Sequence, residues 1–167
     1  LAIEVPASLS VAVAASGAAA CVGDDFLVTV TVANAGGARA DGVSAAVPWQ
    51  SGPGTVVVGP APAMPVSVPG GGSVDFTWTV TAASVGAVSF SSTATGVDAN
   101  DGSFLAAGPA ASLPVSLGLP GALASILSAE PATVSAGQSS VAVLAVANTG
   151  TGAVSGVVAA LASDPAV

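Results

Sequence analysis

Alternating apolar and polar positions mark two segments of the chain. Between residues 26 and 32, and again between residues 74 and 80, every second residue is a large apolar one, and most positions between them are threonine or aspartate. A period of two is typical of a β-strand with one buried face. We therefore predict that these two strands supply the centre of a hydrophobic core, with Trp78 buried in it.

Five further segments have strand character, namely residues 9–15, 43–49, 55–58, 87–95 and 112–117. Turn residues separate the segments, with Gly, Pro, Asn or Asp at residues 16–17, 35–37, 51–54, 69–72 and 100–102. Together these patterns predict seven strands in residues 1–117 and an all-β fold.

The chain also contains an internal repeat. Residues 23–36 align without gaps with residues 137–150, so that Asn34 and Asn148 are equivalent positions 114 residues apart. The match continues from residues 42–46 to residues 156–160. Because an immunoglobulin-like sandwich takes about 100 residues, this offset predicts one immunoglobulin-like β-sandwich per repeat.

The repeat defines the predicted domains. Residues 1–117 form one complete immunoglobulin-like sandwich, residues 118–121 a short linker, and residues 122–167 the first strands of a second, incomplete domain. A half-sandwich leaves its inner face and its edges open. We expect the polypeptide to continue beyond Val167, and the alternative is that another chain supplies the missing strands, with self-assembly through residues 122–167.

Both repeat copies contain a signature that resembles a known family. Residues 30–36 and 144–150 are similar to the V-x-V-x-N-x-G pattern of bacterial and archaeal surface domains, the nearest being the cell-adhesion-related domain found in bacteria (CARDB). The resemblance implies an immunoglobulin-like repeat that serves as stalk, spacer, adhesin or accessory module. In this motif we expect the asparagine to end a strand and to tolerate a left-handed turn, which the following glycine completes.

Composition excludes several classes of partner. Charged residues make up 6% of the chain, against roughly 25% in typical soluble domains, and the net charge is −8 with Arg39 as the single cation. Nucleic acid and anionic membrane surfaces both require clustered Lys and Arg, so we exclude the first and disfavour the second. The uncharged residues 102–129 contain three prolines, which argues against a transmembrane helix.

Catalytic chemistry lacks its usual residues. The sequence has no His, Lys or Tyr, which removes the commonest general bases and Schiff-base nucleophiles. Asp24 and Asp25 are adjacent at a strand entrance and should point to opposite faces, so they make a poor carboxylate pair for glycoside hydrolysis. We predict that the chain is not an enzyme and has no catalytic or cofactor-binding residues.

Three residues form the one candidate metal site. Asp98, Asn100 and Asp101 place carboxylate and amide oxygens at the close spacing that calcium ligands adopt. The segment lacks the distal glutamate of an EF-hand loop, and an Asn-Asp-Gly hairpin turn explains the same residues. We favour the turn, so that calcium is the single cofactor considered and no zinc cluster is expected.

Trp49 and Cys21 are the remaining candidates. Trp49 precedes a loop and is the one aromatic residue expected at a loop surface, where it could stack on a sugar or pack beneath the loop. Cys21 has no partner for an intramolecular disulfide. A half-buried apolar position, an intermolecular disulfide and a lipid attachment are its three open interpretations.

The sequence therefore predicts a non-catalytic structural or adhesive module of a secreted or cell-surface protein, acting through protein contacts as a stalk, filament or envelope-layer repeat. The alternative is a carbohydrate-binding accessory module of a secreted enzyme. The exposure of Trp49 beside polar groups would distinguish the second hypothesis from the first.

Overall fold

The computed structural model describes residues 4–160, and every regular element in that part of the chain is a β-strand. The strands in chain order are β1 (Leu9–Ala15), β2 (Ala19–Cys21), β3 (Asp25–Asn34), β4 (Ala40–Ala45), β5 (Trp49–Ser51), β6 (Thr55–Val58), β7 (Val66–Val68), β8 (Ser73–Ser84), β9 (Gly86–Asp98), β10 (Phe104–Ala111), β11 (Val115–Gly118), β12 (Leu123–Glu130) and β13 (Val141–Asn148). None of the described residues belongs to a helix long and apolar enough to cross a membrane.

The chain divides into two compact units, Leu1–Gly118 and Leu119–Val167. The first contains β1 to β11, and the second contains β12 and β13. Gly118, where the predicted linker begins, is the last residue of β11. The end of the predicted second domain, residues 161–167, lies outside the described residues, as do residues 1–3.

Two packed sheets make up the first unit. The smaller sheet has the order β1-β3-β8-β6, and the larger has the order β2-β11-β9-β4-β7, with β5 and β10 also paired to β9. Neighbouring strands are antiparallel, except that β2 and β11 run parallel. The predicted all-β sandwich is confirmed.

The core lies between the two sheets, where the alternating residues predicted it. Phe76, Trp78 and Val80 of β8 are buried, and Phe26 of β3 meets Phe90 of β9 edge to face, with ring centroids 5.9 Å apart. The indole N–H of Trp78 has no acceptor among the described residues. An unpaired buried N–H costs about 1–3 kcal/mol, which the burial of the large indole surface offsets.

Two predicted strands are shorter than expected because proline interrupts them. The predicted strand 43–49 is divided, since β4 ends before Pro48 and β5 begins at Trp49. Pro114 similarly delays the start of β11 from the predicted residue 112 to Val115. Proline has no amide hydrogen to donate to a strand ladder, so a continuous apolar pattern across it overstates strand length.

Three strands were not predicted. Both β2 and β7 are only three residues long, too short to show a period of two. The third, β10, contains Gly108 and Pro109, and its register with β9 shifts between Ala107 and Ala110. This bulge interrupts the alternation that would have identified the strand.

Asn34 organises one end of the sandwich. Its side chain is buried, and Oδ1 accepts hydrogen bonds from the backbone N–H groups of Ser8 (3.0 Å) and Gly36 (3.1 Å). Its Nδ2 donates to the carbonyl oxygen of Ala38 at 2.8 Å and to those of residues 68–69 at 3.3 Å. One amide side chain therefore joins the segment before β1, the end of β3 and the segment after β7.

The second unit reproduces this arrangement around Asn148. Its Oδ1 accepts from the N–H groups of Ala122 (3.2 Å) and Gly150 (3.1 Å), and its Nδ2 donates to the carbonyl oxygen of Gly152 at 2.8 Å. The strand register is also the same, because Leu9 pairs with Asn34 in the first unit and Leu123 with Asn148 in the second. The sequence repeat is thus a structural repeat for the strand pair and the Asn-centred corner, whereas the residues equivalent to β4 form no strand in the second unit.

The glycine of the motif has a different role from the predicted one. Neither Gly36 nor Asn34 has a positive φ, so the expected left-handed turn is wrong. Only glycine fits at this position, because a Cβ at Gly36 would clash with the carbonyl oxygen of Pro6, at a distance of 2.0 Å. The equivalent Cβ at Gly150 would lie 2.0 Å from that of Pro120.

Replacing the motif asparagine should destabilise the first unit. We expect Asn34→Ala to lower its free energy of unfolding by about 3 kcal/mol, because several buried backbone groups lose their partner and each costs about 1–3 kcal/mol. Both tryptophans lie in this unit, so urea unfolding followed by tryptophan fluorescence measures it alone. Asn100→Ala, at an exposed turn position, is the control and should change the stability by less than about 0.5 kcal/mol; equal effects of the two substitutions would contradict the role of Asn34.

Candidate binding face

The candidate site lies on the outer face of the larger sheet, around Trp49. In β5, Trp49 is opposite Ser91 of β9, and Gln50 is opposite the buried Phe90. Gln50 is exposed but directed toward the other sheet, since its Oε1 accepts a hydrogen bond from the backbone N–H of Val56 in β6 at 2.9 Å. Trp49 therefore points outward, and 46% of its surface is exposed, so the alternative of packing beneath a loop is wrong.

A second exposed aromatic residue lies on the same face. Phe104 opens β10 opposite Val97 of β9, and 72% of its surface is exposed. The expectation that Trp49 is the one exposed aromatic is therefore wrong. The prediction missed Phe104 because β10 itself was not predicted.

Small hydroxyl side chains line β9 near the two rings, and two of them, Thr93 and Thr95, lie between the positions opposite Trp49 and Phe104. On β9, Ser89, Ser91, Thr93 and Thr95 alternate with the buried residues Phe90, Ser92 and Ala94, so the four hydroxyl residues share the outer face. The positions that flank them are also small, with Ser44 and Ala106 on either side of Thr95. We call Trp49, Phe104 and these four hydroxyl residues the β9 outer face.

One ion pair borders this face beside Phe104. Asp41 is opposite Val97 and binds Arg39 through two contacts, Nε to Oδ1 at 2.7 Å and Nη2 to Oδ2 at 2.8 Å. The hydroxyl of Ser67 also donates to Oδ1, at 2.7 Å. The hydrogen bonds from Arg39 and then from Ser67 lower the pKa of Asp41, and the same pair raises the pKa of Arg39.

Two of the candidate calcium residues, Asp98 and Asp101, already accept hydrogen bonds from backbone N–H groups through their carboxylates. Asp98 is buried, and its two carboxylate oxygens accept from the backbone N–H groups of Ala7 (2.6 Å) and Asn100 (2.7 Å). Asp101 accepts from the N–H of Ser103 at 2.8 Å, and hydrogen bonds from Ser103 lower the pKa of Asp101. Within residues 4–160, no three Asp, Glu, Cys or His side chains are grouped to hold a metal ion.

The other residues singled out in the sequence, Asp24, Asp25 and Cys21, make structural contacts. Asp24 caps a turn by accepting from the N–H of Cys21 at 3.0 Å, and Asp25 accepts from the hydroxyl of Thr81 at 2.5 Å. Cys21 is half-buried at the end of β2. These contacts bring no nucleophile and base together, and they are consistent with the half-buried interpretation of Cys21.

An open apolar groove of about 370 Å³ lies at the end of β1, lined by Val13, Ala15, Gly17, Leu113 and Pro114 among others. Its lining side chains carry no polar atom that could orient a small molecule. The backbone is therefore the one source of polar groups in this groove, and no side chain there provides the specificity of a ligand site.

Comparison with protein-family models and with curated proteins finds no match to this chain.

Acid should remove the contribution of Asp41 to stability. A carboxyl whose pKa is lowered by folding stabilises the folded state above its unfolded pKa, near 3.8, and this stabilisation is lost as the pH falls through the folded pKa. We expect Asp41→Asn to lower the urea midpoint at pH 6, and the difference from wild type to shrink as the pH falls below 3.8. Arg39→Gln should show the same trend. A difference that is unchanged in acid would mean that packing, and not the ion pair, is lost.

Proposed function

We propose that this chain is a non-catalytic structural or adhesive module of a secreted or cell-surface protein, built from tandem immunoglobulin-like repeats of the CARDB type. The observation that carries the proposal is the Asn-centred corner, which recurs in both units with three equivalent hydrogen bonds and the same strand register. Tandem copies of one sandwich unit are typical of stalks and spacers, in which the repeated unit sets length and rigidity.

The strand order supports the immunoglobulin-like part of the proposal. In immunoglobulin constant-type domains, strands A, B, E and D form one sheet and strands C, F and G the other. The order β1-β3-β8-β6 corresponds to A-B-E-D, and β4, β9 and β10 occupy the places of C, F and G. The same sandwich hosts many functions, so the role rests on the surface chemistry and not on this correspondence.

The surface of the first unit supports contact with other molecules over catalysis. Its outward strand positions are mostly Ser, Thr and Ala, as in β3 and β8, where Thr29 and Thr77 contact each other at 3.2 Å. The acidic residues described above are engaged by hydroxyl groups, backbone amides or Arg39. A serine nucleophile has no His or Lys to act as its base in this sequence.

A second candidate, the carbohydrate-binding accessory module, is favoured by one observation. Trp49 is exposed beside the Ser91 hydroxyl position, which is the arrangement that distinguishes this hypothesis. An exposed indole next to hydroxyl groups can combine apolar contact with hydrogen bonding, as a sugar ring requires.

Isolation of the protein from its source organism tests both candidates. We expect antibodies raised against this chain to label intact cells or to capture the chain from the culture medium; amine-directed surface labels are unsuitable because the sequence has no Lys. Peptides of a catalytic domain on the same purified polypeptide would favour the accessory module. Recovery of the chain only after lysis, with a cytosolic marker protein as the control, would contradict both.

We further propose that the second unit makes protein contacts through β12 and β13. All residues of both strands are exposed, including Ile126, Leu144 and Val146. In the first unit the equivalent strand β3 pairs with β8 along its second edge, over nine residue pairs, whereas among the described residues β13 pairs only with β12. An apolar strand with a free edge is a template for pairing with another strand.

Replacing core-type residues of β13 should weaken self-association. We expect the chain to sediment as concentration-dependent oligomers, and the double variant Leu144→Asp with Val146→Asp to remain monomeric at the same concentrations, because buried charge is strongly unfavourable in a paired apolar sheet. Val57→Asp, at an exposed apolar position of β6, is the matched control and should associate like wild type. A compact wild-type monomer that binds no hydrophobic dye would contradict this role of the hairpin.

A further inference from the structure

Two exposed rings flank the β9 outer face on opposite edges of β9, Trp49 on the β5 side and Phe104 on the β10 side. Ser91, opposite Trp49, and Val97, opposite Phe104, are six positions apart on β9, which is about 20 Å at roughly 3.3 Å per residue. The side chains between the two rings are Ser, Thr and Ala, so they stand lower than the rings at either end. An extended chain molecule several units long can lie along such a surface, whereas a compact small molecule finds no enclosing walls.

The side chains of the β9 outer face suit a partner that has both C–H and O–H groups. The negative face of an aromatic ring attracts weakly positive C–H groups, and the two rings are the largest exposed side chains on this surface. The serine and threonine hydroxyls near them each donate one hydrogen bond and accept others. A row of apolar rings and hydroxyls matches a polysaccharide, in which every sugar presents C–H faces and hydroxyl edges.

The charge of the chain favours a neutral polysaccharide over an acidic one. The chain carries net charge −8, and its single cation is Arg39, which is already held by both carboxylate oxygens of Asp41. No cation is left on this face to bind a carboxylate or sulfate, and the overall negative field repels anionic chains. The partner must therefore be uncharged.

From these observations we infer that the β9 outer face binds a neutral polysaccharide, lying along β9 with its sugars against Trp49 and Phe104. This inference rests on the adhesive or accessory role proposed above and names its ligand class. It concerns the first unit alone and does not depend on the contacts proposed for β12 and β13.

Affinity electrophoresis tests the inference directly. The full chain is acidic, with an isoelectric point near 4.1, so it migrates as an anion at pH 8 through native gels containing galactomannan, xyloglucan or dextran. We expect retardation in at least one of these neutral gels and none in a gel containing polygalacturonate. We expect Trp49→Ala and Phe104→Ala each to weaken binding about tenfold or more, because each removes a stacking surface, and Trp49→Phe to retain part of the affinity.

Val57→Ala is the matched control, since Val57 is 63% exposed on the other sheet and its loss should leave retardation unchanged. Urea unfolding followed through Trp78 checks that each variant is folded. The inference would be overturned if none of the neutral polysaccharides retarded the wild-type protein, or if polygalacturonate alone retarded it. Retardation that remains after both ring substitutions would overturn it as well. Surface location and self-association are measured separately, so the structural role can stand if the glycan inference fails.

Discussion

The buried amide of Asn34 is the interaction on which the rest of the first unit depends. It binds backbone groups from three separate segments, and most of these groups lie outside the strands, with Val68 at the end of β7 as the exception. Without such a side chain, the ends of both sheets would place unpaired N–H and C=O groups in the interior, which proteins avoid. The motif therefore satisfies the backbone hydrogen-bonding groups where the chain passes from β3 in one sheet to β4 in the other.

The strands and the motif glycine differ in how well the sequence predicts them. Strands with long uninterrupted alternation, such as β3 and β8, follow directly from the sequence because burial on one face imposes a period of two. The function of Gly36 could not be predicted in the same way, since the crowding comes from Pro6, a residue distant in sequence. A glycine that avoids a clash and a glycine that adopts a positive φ look identical in a single sequence.

The β9 outer face could also be predicted only in part. Trp49 could be selected because it is one of two tryptophans and the other lies inside an alternating strand. Its partners could not, because Phe104 and Ser91 join it only through the pairing of β5 and β10 with β9. A binding surface assembled across strands depends on register, and register is determined by the whole sheet and not by any one segment.

The parallel pairing of β2 with β11 has a mechanical consequence. Tension along the polypeptide would pull β2 toward the amino terminus and β11 toward the carboxyl terminus, so two neighbouring parallel strands would slide past each other. The bonds from Ser116 N–H to Ala18 oxygen and from Val22 N–H to Gly118 oxygen would then bear the load together instead of opening one at a time. From β2 onward, the sandwich would therefore resist stretching at this strand pair, whereas β1, which precedes it in the chain, is held separately by its antiparallel pairing with β3.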